Sequence, residues 1–174
     1  MTNPLTKIVE NEVRKLYKSE SDFYSNVLKT TQQTWNRWKR GERGFSEEKL
    51  TLVSRLFTPY EWMLVNKIDS EMKMYSNNFK DEAAVIYHDT KVAIAKQWVE
   101  AGAAISVNSA RNVDDPNDGR QTPGTEIKVT MTYDVPLIRK TDDIIFYVNQ
   151  SSGTIKAGKE NRKQWFLKNI KELV

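Results

Sequence analysis

Gln33, Asn36, Arg37 and Arg40 recur at spacings of three and four, so on a helix they would share one side. Amide side chains so placed can make paired hydrogen bonds to adenine in the DNA major groove, and guanidinium groups can neutralise phosphates. The chemistry on offer is recognition. Bond-making chemistry is sparse by contrast. Catalysis needs a matched pair of groups, and His88, the single histidine, stands mid-helix beside Asp89, where a solvated or packing role is expected. There is no glycine-rich phosphate loop, no nucleophile elbow and no His/Cys ligand set. The run Asp114-Asp115-Pro116-Asn117-Asp118-Gly119 faintly resembles a calcium loop. Pro116 occupies a ligand position there and Thr125 stands where a bidentate glutamate is needed, so it reads as an acidic loop. No enzyme, no cofactor and no metal are expected.

Two basic clusters matter more than the net charge of +4. Lys29, Arg37, Lys39, Arg40 and Arg43 lie close together with only Glu42 among them, and Lys156, Lys159, Arg162, Lys163, Lys168 and Lys171 crowd the C-terminal end. Either can be a solvated helix face or a partner surface. With 39% hydrophobic residues and five tryptophans the 174-residue chain can build a core, and no apolar run approaches the length of a membrane span. Zero cysteines exclude disulfides and thiolate metal sites. The N-terminus lacks the basic start and apolar stretch of an export signal, so a cytoplasmic protein is expected.

Side chains that recognise must be held by elements, and the first half reads as consecutive capped helices. Leu5, Ile8, Val9, Val13 and Leu16 predict an amphipathic helix over about 5 to 18. Ser19, with Asp22 three residues on, opens a second over about 20 to 28. Thr30 and Gln33 have the spacing of a capping box for a third, which Gly41 is placed to end. Ser46 followed by Glu47 and Glu48 opens a fourth, with Leu50, Val53 and either Leu56 or Phe57 inward. Thr58-Pro59-Tyr60-Glu61 demands the start of a fifth. The second and third helices, joined through Lys29-Thr30-Thr31 with the fourth packed behind, form a helix-turn-helix. Trp35 is its inward anchor. Trp38 is either further core or an exposed aromatic for a partner.

After a polar break at residues 75–78, Ala83, Tyr87, Ile94 and Trp98 mark a long helix stopping near Gly102. The period then changes to two. Ile127, Val129, Met131 and Tyr133 alternate with Lys128, Thr130, Thr132 and Asp134, residues 144–148 make a second strand, and residues 105–107 make a third. A final helix over about 158 to 172 can bury Trp165, Phe166, Ile170 and Leu173. The fold expected is α+β, with a helical helix-turn-helix domain over residues 1–78. An α+β domain over 79–174 follows, holding the long helix, a small antiparallel sheet and the C-terminal helix.

Three segments, Asp22-Phe23-Tyr24, Trp35-Asn36-Arg37-Trp38-Lys39-Arg40-Gly41-Glu42, and Gly158-Lys159-Glu160-Asn161-Arg162-Lys163-Gln164-Trp165 running to Asn169, together resemble a phage-encoded type II-A anti-CRISPR family. The resemblance implies a homodimer that binds guide-loaded Cas9 in the cytoplasm of the infected bacterial host. Inhibition would be allosteric, lowering the nuclease's affinity for target DNA without catalysis. On the same resemblance Phe23, Tyr24 and Trp165 fill core, Gly41 and Gly158 mark helix boundaries, and Lys39, Asn161 and Arg162 are surface contacts. The competing expectation is a phage regulator that reads a palindromic operator in duplex DNA through the third helix. No membrane partner is expected.

Overall fold

The computed structural model describes residues 3–75, 81–109, 125–148 and 162–170, and the architecture is α+β. Helix α1 (Pro4–Leu16) is capped by Asn3, whose side-chain oxygen accepts from Leu5 N at 3.3 Å, and it buries Ile8, Val9, Val13 and Leu16 along one stripe. The segment expected as a second helix is there, but Asp22–Val27 winds as a π-helix, with Leu28 N donating to Phe23 O at 3.1 Å. The wider turn lets two successive rings, Phe23 and Tyr24, both reach Trp35, at centroid distances of 5.8 and 6.2 Å.

Helix α2 (Gln32–Lys39) begins one residue later than the Thr30/Gln33 spacing predicts: Thr31 is the cap, its hydroxyl accepting from Thr34 N at 3.2 Å. Thr30 is already committed. Lys29 takes a left-handed φ of 48°, Thr30 N donates back to Tyr24 O at 2.9 Å, and the Thr30 hydroxyl accepts from Lys49 Nζ at 3.2 Å. Ser46 caps α3 (Glu47–Ser54), and Val53, Leu56 and Phe57 turn inward with Leu50 half-buried. Thr58 and Glu61 complete both arms of the capping box that starts α4 (Pro59–Lys73). The long helix α5 (Ala83–Glu100) stops where Gly102 adopts φ 99° and Ala103 N returns to Trp98 O at 2.8 Å. Among the described residues no helix is long and apolar enough to cross a membrane.

Strands β1 (Ala104–Ser109), β2 (Thr125–Val135) and β3 (Ile138–Val148) form an antiparallel sheet in chain order. Ile127, Val129, Ile144, Phe146 and Val148 share its buried face with Ala95, Trp98 and Val99 of α5. Phe166, on α6 (Arg162–Asn169), and Ile170 just beyond it join them, while Trp165 is half-buried and Leu173 lies outside the described residues. β3 is longer than its apolar run predicts. The β2–β3 ladder continues to Val135 opposite Ile138, and on β3 it runs through residues 138–141, whose exposed side chains carry no burial signal. Pro136 and Leu137 turn the hairpin, Leu137 with φ 74°.

Helices and sheet meet at one carboxylate. Glu61, 3% exposed, accepts from Thr58 N and from Ile145 N, both at 2.9 Å, and pairs with Lys91 Nζ at 2.8 Å. Thr58 Oγ1 in turn donates to Asp143 O at 2.6 Å. Ile145 N and Asp143 O lie on the rim of β3 away from β2, so the first turn of α4 covers that rim. Helix α5 contributes to both cores, with Ala83 and Tyr87 under α1 and Ala95, Trp98 and Val99 under the sheet. Removing one partner of a buried charge pair typically costs about 3–5 kcal/mol, whereas losing a hydroxyl cap costs about 1 kcal/mol. E61A is therefore expected to shift the urea midpoint severalfold more than T58A, with the helical and sheet signals lost in one transition.

Candidate functional site

The face that could read a partner stands on an aromatic stack. Trp35, 1% exposed, packs edge-on to Phe23 and lies 5.1 Å from Trp38, which stacks on Phe45 at 4.5 Å with planes 9° apart. Both tryptophans are core, which settles the alternative left open for Trp38. Trp35 also satisfies its polar end, donating from Nε1 to Glu20 Oε2 at 2.7 Å. Lys39 Nζ reaches the same Glu20 oxygen at 2.7 Å and Glu10 at 3.4 Å, and it lies 5.8 Å from the Trp35 ring centroid. Arg14 bonds to Glu20 and Glu10 as well. Burial pulls the Glu20 carboxyl upward, but hydrogen bonds from Lys39, Trp35 and Arg14 outweigh it and hold the pKa at about 2.

Lys39 is therefore half-buried and engaged within the fold, not extended from it as the resemblance implies. The side chains turned outward are Gln33, Arg37 and Arg40, exposed, and Asn36, half-exposed. Lys29 and Arg43 are exposed in the flanking turns, and Asn26 is exposed on the π-helix. Among the described residues the Gln33 and Asn36 amides make no side-chain hydrogen bond, so both keep full donor and acceptor capacity. Arg37 and Arg40 do have a partner. Gly41, at φ 70°, reverses the chain so that Glu42 N donates to Arg37 O at 2.9 Å, the geometry of a Schellman cap. The Glu42 carboxylate then receives Arg40 Nε on one oxygen and Arg40 Nη2 on the other at 3.2 Å, with Arg37 Nε 3.7 Å away.

Of the remaining expected residues, Arg162 does not join this face. Arg162 is half-buried at the start of α6 and donates from Nη1 to Ile105 O on β1 at 3.3 Å. Asn161, Gly158 and the acidic loop of residues 113–124 lie outside the described residues. Phe23 is fully buried, as the resemblance implies, while Tyr24 and Trp165 pack at the margins of the two cores. His88 takes a packing role: it is buried on α5, with Nε2 2.7 Å from Lys15 Nζ, 2.9 Å from Asn11 Nδ2 and 3.3 Å from Glu12 Oε1. Burial pulls the Glu12 carboxyl upward, and His88 with the Lys91 and Lys15 cations brings it down to about 2. An open groove of about 570 Å³ runs beside this cluster, walled by both signs of charge from Lys7, Glu10, Arg14 and Asp81. Among the described residues no group of three or more His, Asp and Glu stands close enough to hold a metal ion.

The anchoring role of Glu20 is invisible in the sequence, because its partners lie six, fifteen and nineteen residues away on other segments. Comparison with known protein families, with curated proteins and with solved structures returns no match. Glu12 and Glu20 each titrate near 2 when folded, below the 4.5 of an ordinary glutamate. The stability each contributes is complete above that ordinary value and drains as pH falls from 4.5 toward 2. Melting curves carried into this range are expected to show a falling Tm, and E20Q to lower Tm at neutral pH while flattening part of the acid fall.

Proposed function

We propose that the protein is an anti-CRISPR inhibitor that binds guide-loaded type II-A Cas9 and lowers its affinity for target DNA allosterically. It acts as a homodimer in the cytoplasm of an infected bacterial host. The reading is supported by the packing of the residues that carry the family resemblance and of their neighbours. Phe23 and Trp35 are its buried rings, Ser19 Oγ accepts from Asp22 N at 3.2 Å to start its second helical segment, and Gly41 supplies the left-handed turn that closes α2. Inhibition of this kind asks for a binding surface and no reacting group. Mimicry of DNA is a poor alternative for a chain of net charge +4, since a polyanion mimic calls for an acidic surface.

Adding the purified protein to Cas9, guide RNA and a target duplex tests this directly. DNA cleavage by at least one type II-A nuclease is expected to be suppressed, with a stable complex of inhibitor, Cas9 and guide on gel filtration. Unchanged cleavage across a panel of such nucleases overturns the reading.

The exposure of Gln33 and Arg37 on α2 favours a second reading, in which the same head binds an operator in duplex DNA. The two can coexist. If it holds, replacing Gln33, Asn36 and Arg37 together by alanine abolishes sequence-specific binding. The wild-type affinity should also fall by orders of magnitude between about 50 and 200 mM salt. Affinity that is flat with salt, or that survives the triple substitution, removes α2 as the reading helix.

A further inference from the structure

We infer that Glu42 is an internal stand-in for a nucleic-acid phosphate, holding Arg37 and Arg40 ready on the outer face of α2 and weakening duplex binding until a backbone phosphate displaces it. The inference rests on the DNA-reading role of that face and adds its regulation.

Three observations carry it. The position of Glu42 is fixed by the main chain: the left-handed Gly41 and the hydrogen bond from Glu42 N to Arg37 O fold the residue back over the last turn of α2. The chemistry of its contacts matches that of a phosphate, because its two oxygens take Nε and Nη2 of one guanidinium. That is the fork by which arginine grips a phosphate, and Arg37 Nε approaches the same carboxylate. Third, Glu42 is the single acidic residue between positions 29 and 46, a stretch otherwise cationic or neutral. Lys39 cannot substitute for the two arginines, since Glu20 and Glu10 already hold its ammonium.

Exchange is easy. The Glu42 side chain is 46% exposed, and ion pairs in such water contact are individually weak, so an incoming phosphate can replace the carboxylate without unfolding anything. The carboxylate costs affinity twice, by competing for the guanidinium groups and by repelling the duplex after its displacement. Nonspecific binding is thereby held down, while a duplex that also satisfies Gln33 and Asn36 retains enough contacts to open the clamp.

The test is fluorescence anisotropy with a short mixed-sequence DNA duplex, comparing wild type, E42Q and E48Q, and repeating E42Q in an R37A/R40A background. Glu48 is exposed in the first turn of α3 and undergoes the same charge change. E42Q is expected to bind about 3- to 10-fold more tightly than wild type, the gain expected when one competing ion pair is removed. E48Q should change affinity by less than about twofold, and the gain from E42Q should vanish without the two arginines. Equal gains from E42Q and E48Q, or none from E42Q while the wild type binds, overturn the clamp and leave the DNA reading standing. If no variant binds the duplex even at low salt, the DNA reading fails and the clamp with it. Matching melting curves for all five proteins check that the fold is unchanged.

Discussion

Glu61 is a buried acid that three separate stretches of chain must satisfy together: the cap at Thr58, the ammonium of Lys91 on α5 and the main chain of β3 at Ile145. A carboxylate taken out of water is tolerated only when its oxygens are fully engaged, and here no two of the three partners come from one element. Lys91 is itself 4% exposed, and its ammonium rests near the rings of Tyr87 and Phe146, at 5.6 and 5.0 Å from their centroids. The helical head and the sheet thus share one electrostatic joint, and each supplies part of what makes the other's burial possible. That requirement decides where α4 and α5 sit, and through α1, which packs on both, where α2 is carried.

On α2 the division of labour follows from spacing. Trp35 and Lys39 are four residues apart and lie on the inner side, the ring in the core and the ammonium over it. Gln33, Arg37 and Arg40 run down the other side at intervals of four and three. One short helix therefore keeps its inner, anchoring cation and its outward cations apart, although all three basic residues fall within four positions of the sequence. Charge counting cannot separate them. The distinction is made by Glu20 and Glu10, which approach from other segments.

What the sequence discloses and what it conceals divide along the same line between local and distant interactions. The Thr58/Glu61 box, the Ser46 cap, the stop at Gly102 and the alternation from Ile127 to Tyr133 are short-range rules and are found where they are expected. The shift of the α2 cap from Thr30 to Thr31 follows from a left-handed Lys29 and a contact with Lys49, nineteen residues on from Thr30, which no local pattern encodes. The π winding at Phe23 follows from where Trp35 and Tyr17 need its ring. β3 begins six residues before its apolar run because a backbone ladder, once started, continues through polar and exposed side chains such as those of residues 139–141. On the outer side of α2, the orientation of Gln33 and Arg37 is legible from periodicity, while the engagement of Arg37 and Arg40 by Glu42 depends on a backbone reversal at Gly41.

The turn that starts α4 also acts on molecules beyond its own. An open three-stranded sheet offers two rims at which strangers could add strands and grow fibrils. At one rim, Thr58 and Glu61 already occupy the free groups of Asp143 and Ile145; at the other, Arg162 occupies the carbonyl of Ile105. Side chains recruited to finish a helix and to seat a charge thus also withhold these three backbone groups from any neighbouring strand.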